Sequence, residues 1–294
     1  MTYQAEKKLL KLFCSLPSNN SFYKLNETTK KLLRKYSNYC VTNSIGNIDI
    51  AKFVLLTSPV EGLPRSIEML VIQATRVDGK QGEITLFKLK MRTRGGFDHN
   101  KLGFLSIFPN KSHGKRKDGL GIPELSPFNL GPVNHGQPGV PVAQVLENFH
   151  QQSKQFLGET DQEFFKHRDD AFRSNVGMRH KVGYKGRPLS WNWVTSDGKL
   201  HRLNWVSSRQ FYCNFYERLV KEKYGFKLLE QLVNNGVNIQ ICGFDAYAMT
   251  MTKQGIEDAY LQNQVPFGHE RVLAAMIVLK EKDWPWRKYK TFDF

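Results

Sequence analysis

Asn204 to Val220, N-W-V-S-S-R-Q-F-Y-C-N-F-Y-E-R-L-V, is the stretch on which the fold turns. Phe211, Phe215 and Leu219 recur at i, i+4 and i+8, with Tyr212, Tyr216 and Val220 one step round. That spacing makes a broad apolar stripe along a helix. Gln210, Asn214, Glu217, Arg218 and Lys221 take the other side. Ser207 followed three residues later by Gln210 has capping-box spacing, which predicts the helix start. Tyr224-Gly225 ends this helix, Phe226 to Val233 restarts it, and Asn234-Asn235-Gly236 stops it again. Val237 to Cys242 alternates apolar and polar residues, so it predicts a strand with Val237, Ile239 and Ile241 facing one layer. Gly243-Phe244-Asp245 closes the strand in a turn, and Pro266-Phe267-Gly268 opens a last helix running to Leu279. Helix, helix, strand and helix together predict an α+β fold, with helices packed around a small mixed sheet.

Three stretches organise the rest: an N-terminal helical and β-hairpin region over 1–108, a Gly/Pro-rich loop over 109–141, and a C-terminal α/β region over 142–294. They fit one continuous body, and a domain break near 109–140 is the alternative. Residues 1–40 read as two lysine-rich amphipathic helices, the second N-capped by Asn26. Lys52 to Thr57 reads as a strand. Ile67 to Val77 and Glu83 to Met91 flank Asp78-Gly79-Lys80-Gln81-Gly82, a hairpin signal. Gly95-Gly96 breaks that ladder and Phe104 to Phe108 adds a short strand. Pro109, Pro123, Pro127, Pro132, Pro138 and Pro141 forbid long elements in the next tract. Its apolar insertions (Leu120, Ile122, Leu125, Phe128, Leu130, Val133) predict an ordered loop wall. Val142 to Phe156 resumes helix, and Thr160 N-caps another to about Phe172. Trp191 to Val194 and Leu200 to Val206 form a hairpin around Ser196-Asp197-Gly198-Lys199, which makes Trp191 and Trp193 core residues at least as readily as base-stacking ones.

Hydrophobic residues make up 40% of the 294 and aromatic residues 12%, enough for a core and against global disorder. No apolar run approaches the roughly 18 residues of a membrane span. Cys14, Cys40, Cys213 and Cys242 lie far apart with no CxxC pair, which predicts an intracellular, reducing setting (cytoplasm or nucleus) and no zinc. The formal charge of +16 favours a polyanionic partner, either nucleic acid or a phosphorylated small molecule. Lys111, Lys115, Arg116 and Lys117 form one basic cluster. Arg168, Arg173, Arg179, Lys181, Lys185 and Arg187 form a second, interleaved with aromatics as strand-tracking surfaces are. Each cluster is equally what a solvated surface looks like.

Several chemistries fall away. His269-Glu270 begins like a zincin motif, but Leu273 stands where the second histidine belongs. Neither a P-loop nor a G-x-S-x-G elbow is present, and neither metal nor cofactor is expected. What remains is geometric. Gly268 heads a helix whose first N–H groups suit phosphate or carboxylate, beside His269, Glu270 and Arg271. Should the strand end at Asp245 lie there too, Asp245, Glu270 and Arg209 form a polar cluster over an apolar floor. Carboxylates so placed can activate water or stabilise an oxocarbenium-like centre. The alternative is a structural Arg–carboxylate pair.

The order D-G-K-L-H-R-L-N-W-V-S-S-R-Q-F-Y, then helix, helix, strand and a final helix ending L-A-A-M-I-V-L, resembles the NADAR family over about residues 189–280. Members of that family cleave N-glycosidic bonds in ribosylated nucleobase derivatives or ADP-ribose adducts. Their S-x-E-[HQ]-[YF] helix start looks like Ser207-Ser208-Arg209-Gln210-Phe211. Arg209 stands where the family has its acid, and the family's later tryptophan–glycine motif has no clear counterpart. The resemblance therefore implies the fold, and it does not supply the acid of a glycosidase. The acids, Asp245, Glu270 and Glu217, come from reading the residues themselves. The first expectation is an N-glycosidic hydrolase, with Arg209, Gln210, Gly268, His269 and Arg271 holding the anion. The second is a non-enzymatic nucleic-acid-binding protein using the two basic clusters. A structural viral or phage component is the third.

Overall fold

The computed structural model describes residues 67–76, 80–90, 101–114, 118–181, 183–184 and 186–294. The two N-terminal helices, the strand at Lys52 to Thr57 and the break at Gly95-Gly96 fall outside these residues, as do Lys115, Arg116, Lys117 and Lys185.

The chain is α+β. Its helices are α1 (Glu68–Ala74), α2 (Leu146–Gln152), α3 (Asp161–Arg173), α4 (Trp205–Val220), α5 (Tyr224–Asn234), α6 (Lys253–Leu261), α7 (His269–Val278) and the short α8 (Pro285–Lys288). The strands β1 (Ile84–Lys88), β2 (Leu105–Phe108), β3 (Leu120–Gly121) and β9 (Ile239–Gly243) make a parallel sheet in the order β1-β9-β2-β3. Two antiparallel sheets stand apart from it: β4 (Val133–Asn134) with β5 (Val142–Ala143), and β6 (Lys154–Gln155) with β7 (Ser190–Val194) and β8 (Leu200–Leu203).

β9 is the pivot. Every residue from Ile239 to Gly243 is buried, not only the alternate ones that the periodicity predicts. A parallel strand between two neighbours is covered on both faces, so its polar Gln240 is drawn inside as well. The expected hairpin around Asp78-Gly79 is replaced. Residues 68–74 are helical, and β1 pairs in parallel with β9, Ile84 opposite Ile239 and Lys88 opposite Gly243. The turn signal is local, whereas the partner strand arrives from the far end of the chain. The amides of Arg76 and Gly82 bond the carbonyls of Gly236 and Val233, laying this segment against the α5–β9 connection.

Local chemistry sets the helix ends. Thr160 caps α3 with a full capping box, its hydroxyl accepting from the Glu163 amide while Glu163 accepts from the Thr160 amide. For α4 the cap is Asn204, three residues before the predicted start, accepting from the Ser207 amide at 2.8 Å. The predicted helix over Val142 to Phe156 contracts to α2, with β5 before it and β6 after.

The tract over 109–141 packs down as a wall. Leu120, Ile122, Leu125, Leu130 and Val133 are buried in the same cluster as Phe211, Ile239 and Trp286. The Tyr216 hydroxyl donates to the Leu125 carbonyl at 2.7 Å, tying the wall to α4. At the centre, the Phe149 ring lies 4.6 Å from both Phe211 and His135 and 4.9 Å from Phe215. α2, α4 and the loop are thereby joined by aromatic contacts of about 0.5–1.5 kcal/mol each beyond simple burial.

Candidate functional site

The parallel strands end on one edge, where ligand groups collect in α/β sheets. Their ends are stitched together. The Leu89 amide donates to the Gly243 carbonyl at 2.8 Å, and Asn110 Nδ2 donates to the Cys242 carbonyl at 3.1 Å. The N-terminus of α7 is pinned to the same edge, because His269 Nε2 lies 3.1 Å from the Pro109 carbonyl oxygen. The strand end at Asp245 and the start of α7 do meet.

Two glycines shape the meeting point through lack of bulk. Gly268 has φ −75° and ψ 179°, a conformation open to any residue. A Cβ there would lie 2.9 Å from the Asp245 Cβ, 3.2 Å from Glu270 Oε2 and 3.8 Å from the Asp245 Cγ. Asp245 and Glu270 therefore flank the bare face of Gly268. Across from it, a Cβ on Gly243 would collide with the Glu270 carboxyl group itself. Asp245 is exposed, whereas Glu270 is 1% exposed and forms the floor. Burial pushes the Glu270 carboxyl up to about 8, the neighbouring Asp245 charge adding to the rise. Burial thus favours its neutral form, a carboxylic acid able to donate.

α2 and the start of β6 bring two ionisable groups that the sequence reading missed within electrostatic reach of Asp245. Glu147 is buried in its first turn and accepts from Gln151 Nε2 at 2.9 Å, one helical turn on. Lys154, which opens β6 just after the helix, donates to Gln151 Oε1 at 2.6 Å. Burial raises Glu147 to about 7; the Gln151 bond and the charges of Lys154 and Arg179 pull it down, and Asp245 pushes it up. Burial lowers Lys154 to about 8 against the pull of Glu147 and Asp245. Tyr212 of α4 feels both Glu147 and Glu270, so the two carboxyl groups share its neighbourhood. A spacing of i, i+4 and i+7 over Glu147, Gln151 and Lys154 was the available signal.

Other predicted site residues are placed elsewhere. Arg209 donates to the carbonyls of Tyr260 and Val265, bracing the end of α6, and stacks on Trp205. Arg271 is 1% exposed and spends its guanidinium on the carbonyls of Tyr247, Ala248 and Pro266. Neither is free to hold an anion. Gln210 clasps the chain end, accepting from the amides of Thr291 and Phe292 and donating to the Phe292 carbonyl. The buried Glu217 accepts from Trp286 Nε1 at 2.6 Å and from Arg287 at 2.5 Å, so it anchors α8. Its bonds are structural, and it does not join the Asp245–Glu270 pair.

The second basic cluster divides. Arg168 is 1% exposed and bonds Asp169 and the Pro138 carbonyl; Lys181 is buried on Glu159 and the Lys154 carbonyl. Those two are core cations, removed from any surface role. Arg173, Arg179 and Arg187 are exposed, as is Lys111 of the first cluster, and Arg179 reaches the candidate site, with its guanidinium over the Phe244 ring.

A cleft of about 330 Å³, with Lys221, Phe226, Glu230, Met276, Leu279 and Trp284 among its walls, lies at the C-terminal end of α7. It is about 9–14 Å along the helix from Glu270 and is lined by none of the candidate site residues. Among the described residues there is no group of three or more His, Cys, Asp or Glu able to hold a metal. No helix among them is long and apolar enough to cross a membrane. Comparison of the chain with family models, curated proteins and solved structures gives no match.

Proposed function

We propose that the protein is an N-glycosidic hydrolase acting on a nucleotide-like, phosphorylated substrate such as an ADP-ribosylated compound. One observation carries this reading: Glu270, buried with its carboxyl pushed up to about 8, sits beneath the exposed carboxylate of Asp245 at the end of the central parallel strand. Cleaving an N-glycosidic bond calls for an acid to protonate the leaving base and a negative charge to steady the oxocarbenium-like sugar. Glu270 suits the first role and Asp245 the second. Glu147, close to neutrality beside Gln151, can take a proton from the attacking water. Arg179 and Lys154 supply positive charge for a phosphate on the same side. The two environments split the carboxyl groups into an acid and an anion, the arrangement that marks acid/base pairs.

The test is release of a free base or of ADP-ribose from a panel of nucleotides and ADP-ribosylated nucleosides, followed by chromatography. Glu270→Gln and Asp245→Asn should each lower turnover by about 10²-fold or more, since general acid catalysis alone contributes that much. Turnover by wild type that survives both substitutions would end the proposal.

A further inference from the structure

We infer that His269 is a positioning residue, which holds the acidic proton of Glu270 on Oε2 by offering it an unprotonated ring nitrogen. The inference rests on the acid role given to Glu270 above. A backbone carbonyl can only accept, so the 3.1 Å contact to Pro109 puts the single hydrogen of a neutral imidazole on Nε2. Nδ1 is then a lone pair. It lies 3.3 Å from Glu270 Oε2, off the hydrogen-bond axis, and Oε2 is a buried oxygen with no hydrogen-bond partner among the described residues. A lone pair facing an ionised carboxylate would be repulsive. Facing a carboxylic acid, it needs only a small side-chain rotation to accept.

His269 is thereby disqualified from the anion-binding role that its place at a helix N-terminus suggested. An imidazole with its only hydrogen spent on Pro109 has nothing left to donate. Burial holds the ring well below its usual range, at about 4, so a second hydrogen does not arrive near neutrality. The groups facing the pair agree. From the turn after β9 comes the negative Asp245; from α4 come the buried Tyr212 and Tyr216, the latter with its ring 6.1 Å from that of His269. At the end of β1, Lys88 is turned onto the Tyr247 ring, 3.7 Å from its centre. One proton therefore serves two acceptors, and the Pro109 carbonyl decides which of them carries it.

The experiment is nitrogen NMR of the full chain labelled on its imidazole rings, comparing wild type, Glu270→Gln and Glu270→Leu between pH 5.5 and 8. One neutral ring in the Nε2–H form should respond at Nδ1 to Glu270→Leu, which removes the donor, and much less to Glu270→Gln, whose amide can still donate. Loss of that signal in His269→Asn assigns it. His269→Leu, which offers no acceptor, should move the alkaline limb of turnover down by roughly one pH unit, the effect of losing one hydrogen bond to the neutral acid. If His269→Asn does not fold, the Glu270 pair still decides. An imidazole that is Nδ1–H, or charged near neutrality, or indifferent to Glu270→Leu, overturns the inference. So does a pH profile unmoved in His269→Leu, while the hydrolase reading survives. An NMR response without base release from any nucleotide overturns the hydrolase reading and leaves the proton pair standing.

Discussion

The carboxyl group of Glu270 occupies the space that a side chain on Gly243 would fill. A strand residue and a helix residue are thus fitted to each other through the absence of one carbon atom. Gly243→Ala should swing the flexible carboxyl group out of its slot. We expect base release to fall by about 10²-fold, the scale of a lost general acid. Stability should drop by only about 1–3 kcal/mol, the usual cost of overpacking. Turnover and urea denaturation measured on one preparation check both halves, and unchanged turnover would contradict the fit.

Glu217 provides the contrasting case, a buried carboxylate committed to the fold. Glu217→Ala strips Trp286 and Arg287 of their acceptor and frees α8. We expect a loss of about 2–4 kcal/mol, as for a buried charge-assisted pair deprived of one partner. Residual folded protein should retain base release, so thermal unfolding paired with an activity assay separates this role from catalysis.

The pH dependence of stability has a calculable sign. Glu270 and Glu147 are raised in the folded state, to about 8 and about 7. Their contribution is fully present below the ordinary carboxyl value near 4.5 and is lost as pH rises through 7 and 8. His269 and His135 are lowered, to about 4 and about 3, so their contribution is present above 6.5 and lost on acidification. Lys154, lowered to about 8, favours the folded state as pH climbs beyond that value. Urea unfolding should therefore show stability declining from pH 6 to 8, and Glu270→Gln should flatten the decline. A steeper decline in that variant would contradict the assignment.

Arg168 and Arg173 separate core cations from surface ones. Arg168→Ala leaves the Pro138 carbonyl and Asp169 without their donor and opens space beside Phe172. It should cost about 2–4 kcal/mol. Arg173→Ala, at an exposed helix end, should stay within about 0.5 kcal/mol. Equal effects in thermal unfolding would refute the division of the cluster.

The elements legible in the sequence were those whose pattern is local. Thr160 and Glu163 announce α3, the Phe211–Phe215–Leu219 period gives α4, and Ile239 with Ile241 gives β9. The pairing of Asp245 with Glu270 was also legible, since a strand end and a glycine-led helix start are both recognisable. What escaped depends on partners distant in the chain. Strands of two residues such as β5 and β6 show no period, and residues 68–74 took helix where β-prone composition argued strand. Buried charges escaped for the same reason. Nothing in a run of basic residues distinguishes Arg168, turned onto Pro138, from Arg173, turned to water.

β9 lies between β1 and β2 although it follows both by more than a hundred residues. During synthesis the two earlier strands must wait with their inner edges unpaired until the segment ending at Gly243 leaves the ribosome. Such late, non-local pairing is slow, and the open edges invite association with other chains. Asp245 and Glu270 are translated later still, so no nascent or C-terminally shortened form can display the pair before the strands of the sheet have all been made.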